Sequence, residues 1–186
     1  MEVSRELPPT TATWFALSVK TRWEKRVQEL LSCRAYETFL PLYNRRSLWS
    51  DRVATLELPL FPNYLFCRFN LDQRVPVLTT PGVLQIVGSG SRPVPVDDRQ
   101  LDMIRIVVFS KANCEPHPYL EKGQRVRIIR GALEGIEGFL IEHRSQCRVL
   151  VAVDVLARSV SVQVSRDMVM AIGQSQDTAL RKSARA

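Results

Sequence analysis

No stretch of this sequence approaches the roughly 20 consecutive apolar residues that a membrane-spanning helix requires. Residues 1–13 carry Glu2, Arg5 and Glu6 without an apolar signal core. A cytoplasmic protein with no membrane partner is therefore expected. Cys33, Cys67, Cys114 and Cys147 lie far apart with no CxxC pair, and histidine is confined to His117 and His143. That is not metal-ligand spacing. Free thiols in a reducing compartment are expected instead, because disulfide frameworks belong mainly to short secreted chains. Also missing are a glycine-rich phosphate loop, a glycine-framed nucleophile elbow, and a spaced His and carboxylate pair for acid–base work. No catalytic residue, metal or cofactor is assigned, and no enzymatic activity is expected.

What the chain does have is apolar content of 45% in 186 residues, enough for one large or two small cores. The net charge of +7 is spread over both halves. It permits contact with nucleic acid or an acidic protein surface but does not demand it. Trp14 to Val19 reads as a buried strand. Thr21 and Glu24 have capping-box spacing at the start of a helix, with Trp23, Val27, Leu30 and Leu31 on its packing face and Arg22, Lys25, Arg26 and Glu29 opposite. The runs around Leu56 to Leu60 and Tyr64 to Phe69 read as antiparallel strands, preceded by a basic hairpin from Tyr43 to Arg52. Pro81-Gly82 marks a turn, Val83 to Val87 a strand, and Asp97 the cap of a second helix carrying Leu101, Ile104, Val107 and Val108.

Residues 111–118, with Pro116 and Pro118, interrupt this pattern and read as a linker. Beyond them the period changes to two. Val149, Val151, Val153 and Val155 alternate with their neighbours, as do Val160, Val162 and Val164, which implies a small β-barrel. The β-branched alternation favours a constitutive barrel over a helical state. The proline-containing linker predicts two domains that tumble largely independently. The boundaries expected are a disordered N-terminus at 1–12, a first domain at 13–110, the linker at 111–118, a second domain at 119–172 and a disordered tail at 173–186.

Gly123 to Gly138 has the glycine spacing of a KOW motif, with Val126 and Ile128 on a strand that turns back into Phe139 to Ile141. Pro59-Leu60-Phe61-Pro62-Asn63-Tyr64-Leu65-Phe66, Trp14 to Val19, Thr80 to Val87 and the KOW stretch occur in the order found in NusG-family transcription factors, which the chain resembles over residues 13–172. Within that family, Pro59 to Phe66 is similar to the RfaH branch of antiterminators. Phe39 to Tyr43 followed by Trp49 to Arg52 is similar to UpxY-type regulators of polysaccharide operons. Asn63 stands where general factors typically have glycine, which favours the specialised branch; a general NusG-type elongation factor remains the alternative. A ribosome-associated KOW protein that binds nucleic acid would account for the charge but not for Pro59 to Phe66.

The resemblance implies an α+β protein. An N-terminal NGN domain, an antiparallel sheet flanked by helices, is joined to a C-terminal KOW domain, a small SH3-like β-barrel. It implies binding to the clamp helices of the RNA polymerase largest subunit, with suppression of pausing and termination. Tyr64, Phe66 and Ile86 are carried over as polymerase-binding residues, and Ser18 stands where RfaH-like proteins have an aromatic residue. The family's gate-loop contact would fall near Gln73 to Val75 and is not assigned. Lys20, Arg22 and Arg26 fall at or beside positions that contact the non-template DNA strand, and Arg45, Arg46 and Arg52 could reach upstream DNA. Leu133 and Ile136 occupy the loop by which KOW domains bind NusE, and hence the ribosome, or Rho. A monomer is expected.

Overall fold

The computed structural model describes residues 12–48, 53–89, 92–110, 112–118, 123–143 and 146–172. Of the expected disordered termini, 1–12 and 173–186, all but Ala12 lie outside the described residues, as do Trp49 to Arg52. The elements of the first unit are β1 (Thr13–Val19), α1 (Glu24–Ser32), β2 (Glu37–Phe39), β3 (Leu42–Leu48), β4 (Val53–Pro59), β5 (Tyr64–Phe69), α2 (Val75–Leu78), β6 (Val83–Ile86), β7 (Gly88–Ser89), β8 (Arg92–Pro93) and α3 (Asp98–Phe109). The second unit holds β9 (Cys114–Pro118), β10 (Gln124–Ile128), β11 (Glu137–His143), β12 (Gln146–Val153), β13 (Arg158–Val164) and β14 (Val169–Ala171).

β1 is apolar on both faces, which suits only an inner strand covered on both sides. It lies between β5 and β6 in a sheet of order β2-β5-β1-β6. The antiparallel register sets Leu17 opposite Leu65 and Ala16 opposite Phe66. One face carries Phe15, Leu17, Val19, Leu65, Cys67 and Phe69 against Val27 and Leu31 of α1. The other carries Trp14, Ala16 and Phe66 against Leu101, Ile104 and Val107 of α3. Each such aliphatic side chain contributes about 1.5–3 kcal/mol on burial. Asp97 caps α3 as predicted, its Oδ1 accepting from the Arg99 N–H at 2.9 Å.

The expected capping box does not form. Helix α1 starts at Glu24 with Trp23 in the cap position and no side-chain cap. The buried Glu24 carboxylate instead accepts from the backbone N–H of Asn63 at 2.9 Å. Asn63 has φ 70, a left-handed conformation that asparagine and glycine tolerate best. That turn aims its amide at α1, so Glu24 pins a distant loop rather than its own helix start. Lys20 and Arg22 consequently sit on the β1–α1 loop, and of the three predicted DNA-binding residues only Arg26 is on the helix.

The linker is also corrected. Residues Cys114–Pro118 are the edge strand of a six-stranded antiparallel sheet of order β14-β10-β11-β12-β13-β9, with Pro116 opposite Val160 and His117 opposite Ser159. The Gln163 N–H donates to the Asn113 carbonyl at 3.1 Å. By antiparallel alternation, residues 115 and 117 then face β13, while Pro116 and Pro118 turn their missing donors to the free edge. Proline is tolerated there and blunts the edge against further pairing.

Only four residues separate the end of α3 from β9, and Ser110 fastens them, donating to the Val107 carbonyl and accepting from the Ala112 N–H. So short a connection keeps the two units together. α3 packs on β12, Gln100 Nε2 donates to Asp154 Oδ2 at 2.6 Å, and one buried cluster runs from Trp14 and Ile104 to Val149, Val151 and Val162. The expectation of independent domains gives way to a shared apolar interface. Residues 149–153 and 158–164 are strands, as the alternation implied, whereas Asp154–Leu156, with Val155, form a 3-10 turn between them.

Candidate functional site

β5 alternates its side chains between the two faces of the first sheet. Tyr64 and Phe66 share the α3-facing side, where Tyr64 is half-buried and Phe66 is fully buried. The Phe66 ring lies 6.1 Å from Phe39 and 6.0 Å, edge-on, from Phe61. Ser18 is in register with both Tyr64 and Gln85, so these three residues form a shallow row across β5, β1 and β6. Ile86 does not join it. It pairs with Leu17 and packs with the α1-side cluster, on the opposite face of the sheet. A one-residue offset on a strand reverses the face, and a β-bulge between Ser18 and Val19 at this edge is invisible in a linear reading. The structure thus brings Tyr64 and Phe66 together, presents Tyr64, and makes Phe66 its support.

Lys20, Arg22 and Arg26 are all exposed, and Arg22 has φ 64. Lys25 is engaged with Glu57 of β4 at 3.2 Å. Trp23 lies off the packing face expected for it. The residue is 39% exposed, with Lys20 Nζ 5.5 Å from the ring centroid. Arg45 of β3 is exposed on a cleft of about 940 Å³, whose other wall is Asn113 to Pro116. The side chains of Arg46 and Arg52 lie outside the described residues.

In the second unit Leu133 is 7% exposed and Ile136 fully buried. Both belong to the core cluster with Val126, Ile128 and Val149. They plug the interior rather than offering apolar side chains to a partner, and the loop presents Gly131, Ala132, Glu134 and Gly135 instead. The tight return of the chain at Gly131 and Gly135, each with φ 89, swings the two side chains inward. Leu133, with Arg130 and Met168, lines a cleft of about 490 Å³.

Sequence reasoning missed an apolar patch in the first unit, made by Val75 (62% exposed) and Leu78 of α2 and Leu84 (58% exposed) of β6. A four-residue helix is too short to show a period. Burial, and secondarily Glu37, pushes the Cys67 thiol up to about 12. Burial also raises Cys114, partly offset by a backbone hydrogen bond. Among the described residues, no three His, Cys, Asp or Glu side chains could together hold a metal, and no helix is long and apolar enough to cross a membrane.

Residues 12–105, which hold the first sheet and most of α3, match the family model NusG, described as "Transcription termination factor nusG". The chain belongs to the NusG family. The transcription termination/antitermination protein NusG of Lactococcus lactis is 27% identical over 165 residues, covering 81% of this chain and 88% of that protein. The NusG of Pseudomonas aeruginosa is 26% identical over 165 residues, covering 81% and 93%. A solved structure titled "Domain interaction in Thermotoga maritima NusG" has a TM-score of 0.56 at 22% identity, covering 87% of this chain and 98% of that one, a likeness of fold. The α+β architecture with a strand-rich C-terminal unit is therefore that of NusG proteins, and the chain is a NusG-type transcription factor, not an enzyme.

Proposed function

We propose that this NusG-family chain is an elongation and antitermination factor of the RfaH- and UpxY-like branch. It binds the clamp helices of RNA polymerase through the N-terminal sheet and suppresses pausing at particular operons in the cytoplasm. The observation that carries the reading is the half-buried Tyr64, presented beside Ser18 and Gln85 on the face that holds the buried Phe66 and Phe61 and the half-buried Phe39. An aromatic anchor seated on a rigid floor is the usual energetic centre of a protein interface, where truncation costs about 2 kcal/mol or more. The serine in place of an aromatic at position 18 leaves the row shallower and makes Tyr64 its largest side chain.

The exposed Lys20, Arg22 and Arg26 support contact with the non-template DNA strand. The loop of Gly131, Ala132, Glu134 and Gly135 and the adjoining cleft support recruitment of a second partner, NusE or Rho, by the C-terminal unit. The test is retention of the full chain on an immobilised clamp-helix fragment. Tyr64→Ala should weaken retention at least ten-fold while the protein remains cooperatively folded, with only the modest loss of stability expected of a half-buried side chain. Wild-type retention by a folded Tyr64→Ala protein would remove the anchor.

A further inference from the structure

We propose that β9 is a stored length of tether, a strand that unzips from β13 so that the two units part while each stays folded. This goes beyond the polymerase reading above, and it holds whichever partners the two units bind.

β9 is weakly anchored for a strand of its length. It ends the order β14-β10-β11-β12-β13-β9, so it has one neighbour where β13 has two. Pro116 and Pro118 have no N–H, so by antiparallel alternation only Glu115 and His117 donate to β13 from within the strand. Its side chains add little, since Cys114 is buried but Glu115 and Pro116 are exposed. β12 and β13, by contrast, share seven registered pairs and bury Val149, Val151, Val160 and Val162 in the core. The barrel therefore survives the loss of β9. One group gains by it. Ser159 Oγ is buried and, among the described residues, has no hydrogen-bond partner, and Ser159 stands directly across from His117 of β9. An unpartnered buried hydroxyl carries a desolvation cost, which exposure to water relieves.

The side-chain bonds that hold β9 form a clasp over β13. Arg148 of β12 donates to Ser161 Oγ at 3.3 Å and ends on Glu115 Oε2 at 3.1 Å. Asn113 Nδ2 donates to Gln163 Oε1 at 3.3 Å. The Glu115 side chain is more than half exposed, so its ion pair is screened by solvent and readily broken.

Tether length decides what release does. A chain spans at most about 3.5 Å per residue. With β9 zipped, residues 110–113 alone join α3 to the barrel, a reach of roughly 14 Å, and α3 stays on β12 with Gln100 bonded to Asp154. With β9 released, residues 110–123 join α3 to β10, a reach of roughly 50 Å. The chain is then a link of two lengths. The short one holds the units on their shared apolar cluster, and the long one lets each follow its own partner.

The experiment locks the strand. Cys114 lies opposite Val162 in a pair without mutual backbone bonds, the closer of the two antiparallel kinds and within disulfide reach. Val162→Cys, made together with Cys33→Ser and Cys147→Ala so that Cys114 is the one other thiol in the second unit, is compared oxidised and reduced. NMR relaxation of the full chain is followed through urea concentrations below the main unfolding transition. Wild type and the reduced variant should pass from one rotational correlation time to two while both units keep folded spectra. The oxidised variant should keep one time up to the main transition. Glu115→Gln, which removes the ion pair, should bring the separation to lower urea. In native-state hydrogen exchange the amides of Ser159, Ser161 and Gln163, which face β9, should exchange at least ten-fold faster than those of Val160 and Val162, which face β12. Separation at the same urea concentration in the oxidised and reduced forms would overturn the proposal. So would a single time in wild type until both units unfold, or equal exchange in the two sets of amides.

Discussion

The floor beneath Trp23 supplies a quantitative test. Gly82 has φ +95, and a methyl group there would meet Trp23 Cε3 at 2.6 Å and Val27 Cγ2 at 2.8 Å. Gly82→Ala should therefore suffer twice. The left-handed backbone costs about 1–2 kcal/mol for a residue with a side chain, and forcing atoms into a packed site costs about 1–3 kcal/mol. A total of roughly 2–5 kcal/mol results, and a loss near 3 kcal/mol lowers Tm by roughly 6–12 °C in a chain of this size. Gly135 supplies the control. Its φ is +89, but an added Cβ would meet nothing within 4 Å, so Gly135→Ala should lose only the backbone share, about 1–2 kcal/mol. Urea unfolding of both variants should show lower midpoints at unchanged slope, with Gly82→Ala clearly the weaker. Equal losses would refute the claim that the Trp23 indole is seated on the Gly82 backbone.

Three further outcomes follow from the packing. Ile136→Ala should destabilise the second unit by about 2–5 kcal/mol, because its side chain is fully buried; a change under about 0.5 kcal/mol by thermal melting would return it to the surface role first assigned to it. Cys67, raised from 9.0 to about 12, binds its proton more tightly folded than unfolded. Its contribution is therefore complete below pH 9 and lost as pH rises toward 12. Wild type should thus lose stability relative to Cys67→Val over that range, and parallel stability curves would contradict the burial. The shared cluster and the Gln100–Asp154 bond predict one rotational correlation time for both units in NMR relaxation. Two distinct times in wild type would restore the flexible tether.

The period-two alternation of residues 149–153 and 158–164, the apolar run of β1 and the Asp97 cap were readable in the sequence because each depends on neighbours within its own element. The ordered segments from Trp14 to the KOW glycines sufficed for the family, since each marks a local structure. Facing is different. Ile86 falls away from Tyr64 because strand register and a bulge, not spacing, choose its side. Leu133 and Ile136 look like exposed anchors until the turn at Gly131 and Gly135 swings them inward. Glu24 has capping-box spacing but is captured by an amide 39 residues away. The prolines at 116 and 118 break a pattern in one dimension, yet in three their missing donors lie along an edge that needs none. Local sequence thus determined the elements and the family. Tertiary structure decided which side chains are presented, because burial and hydrogen-bond partners come from residues distant in the chain.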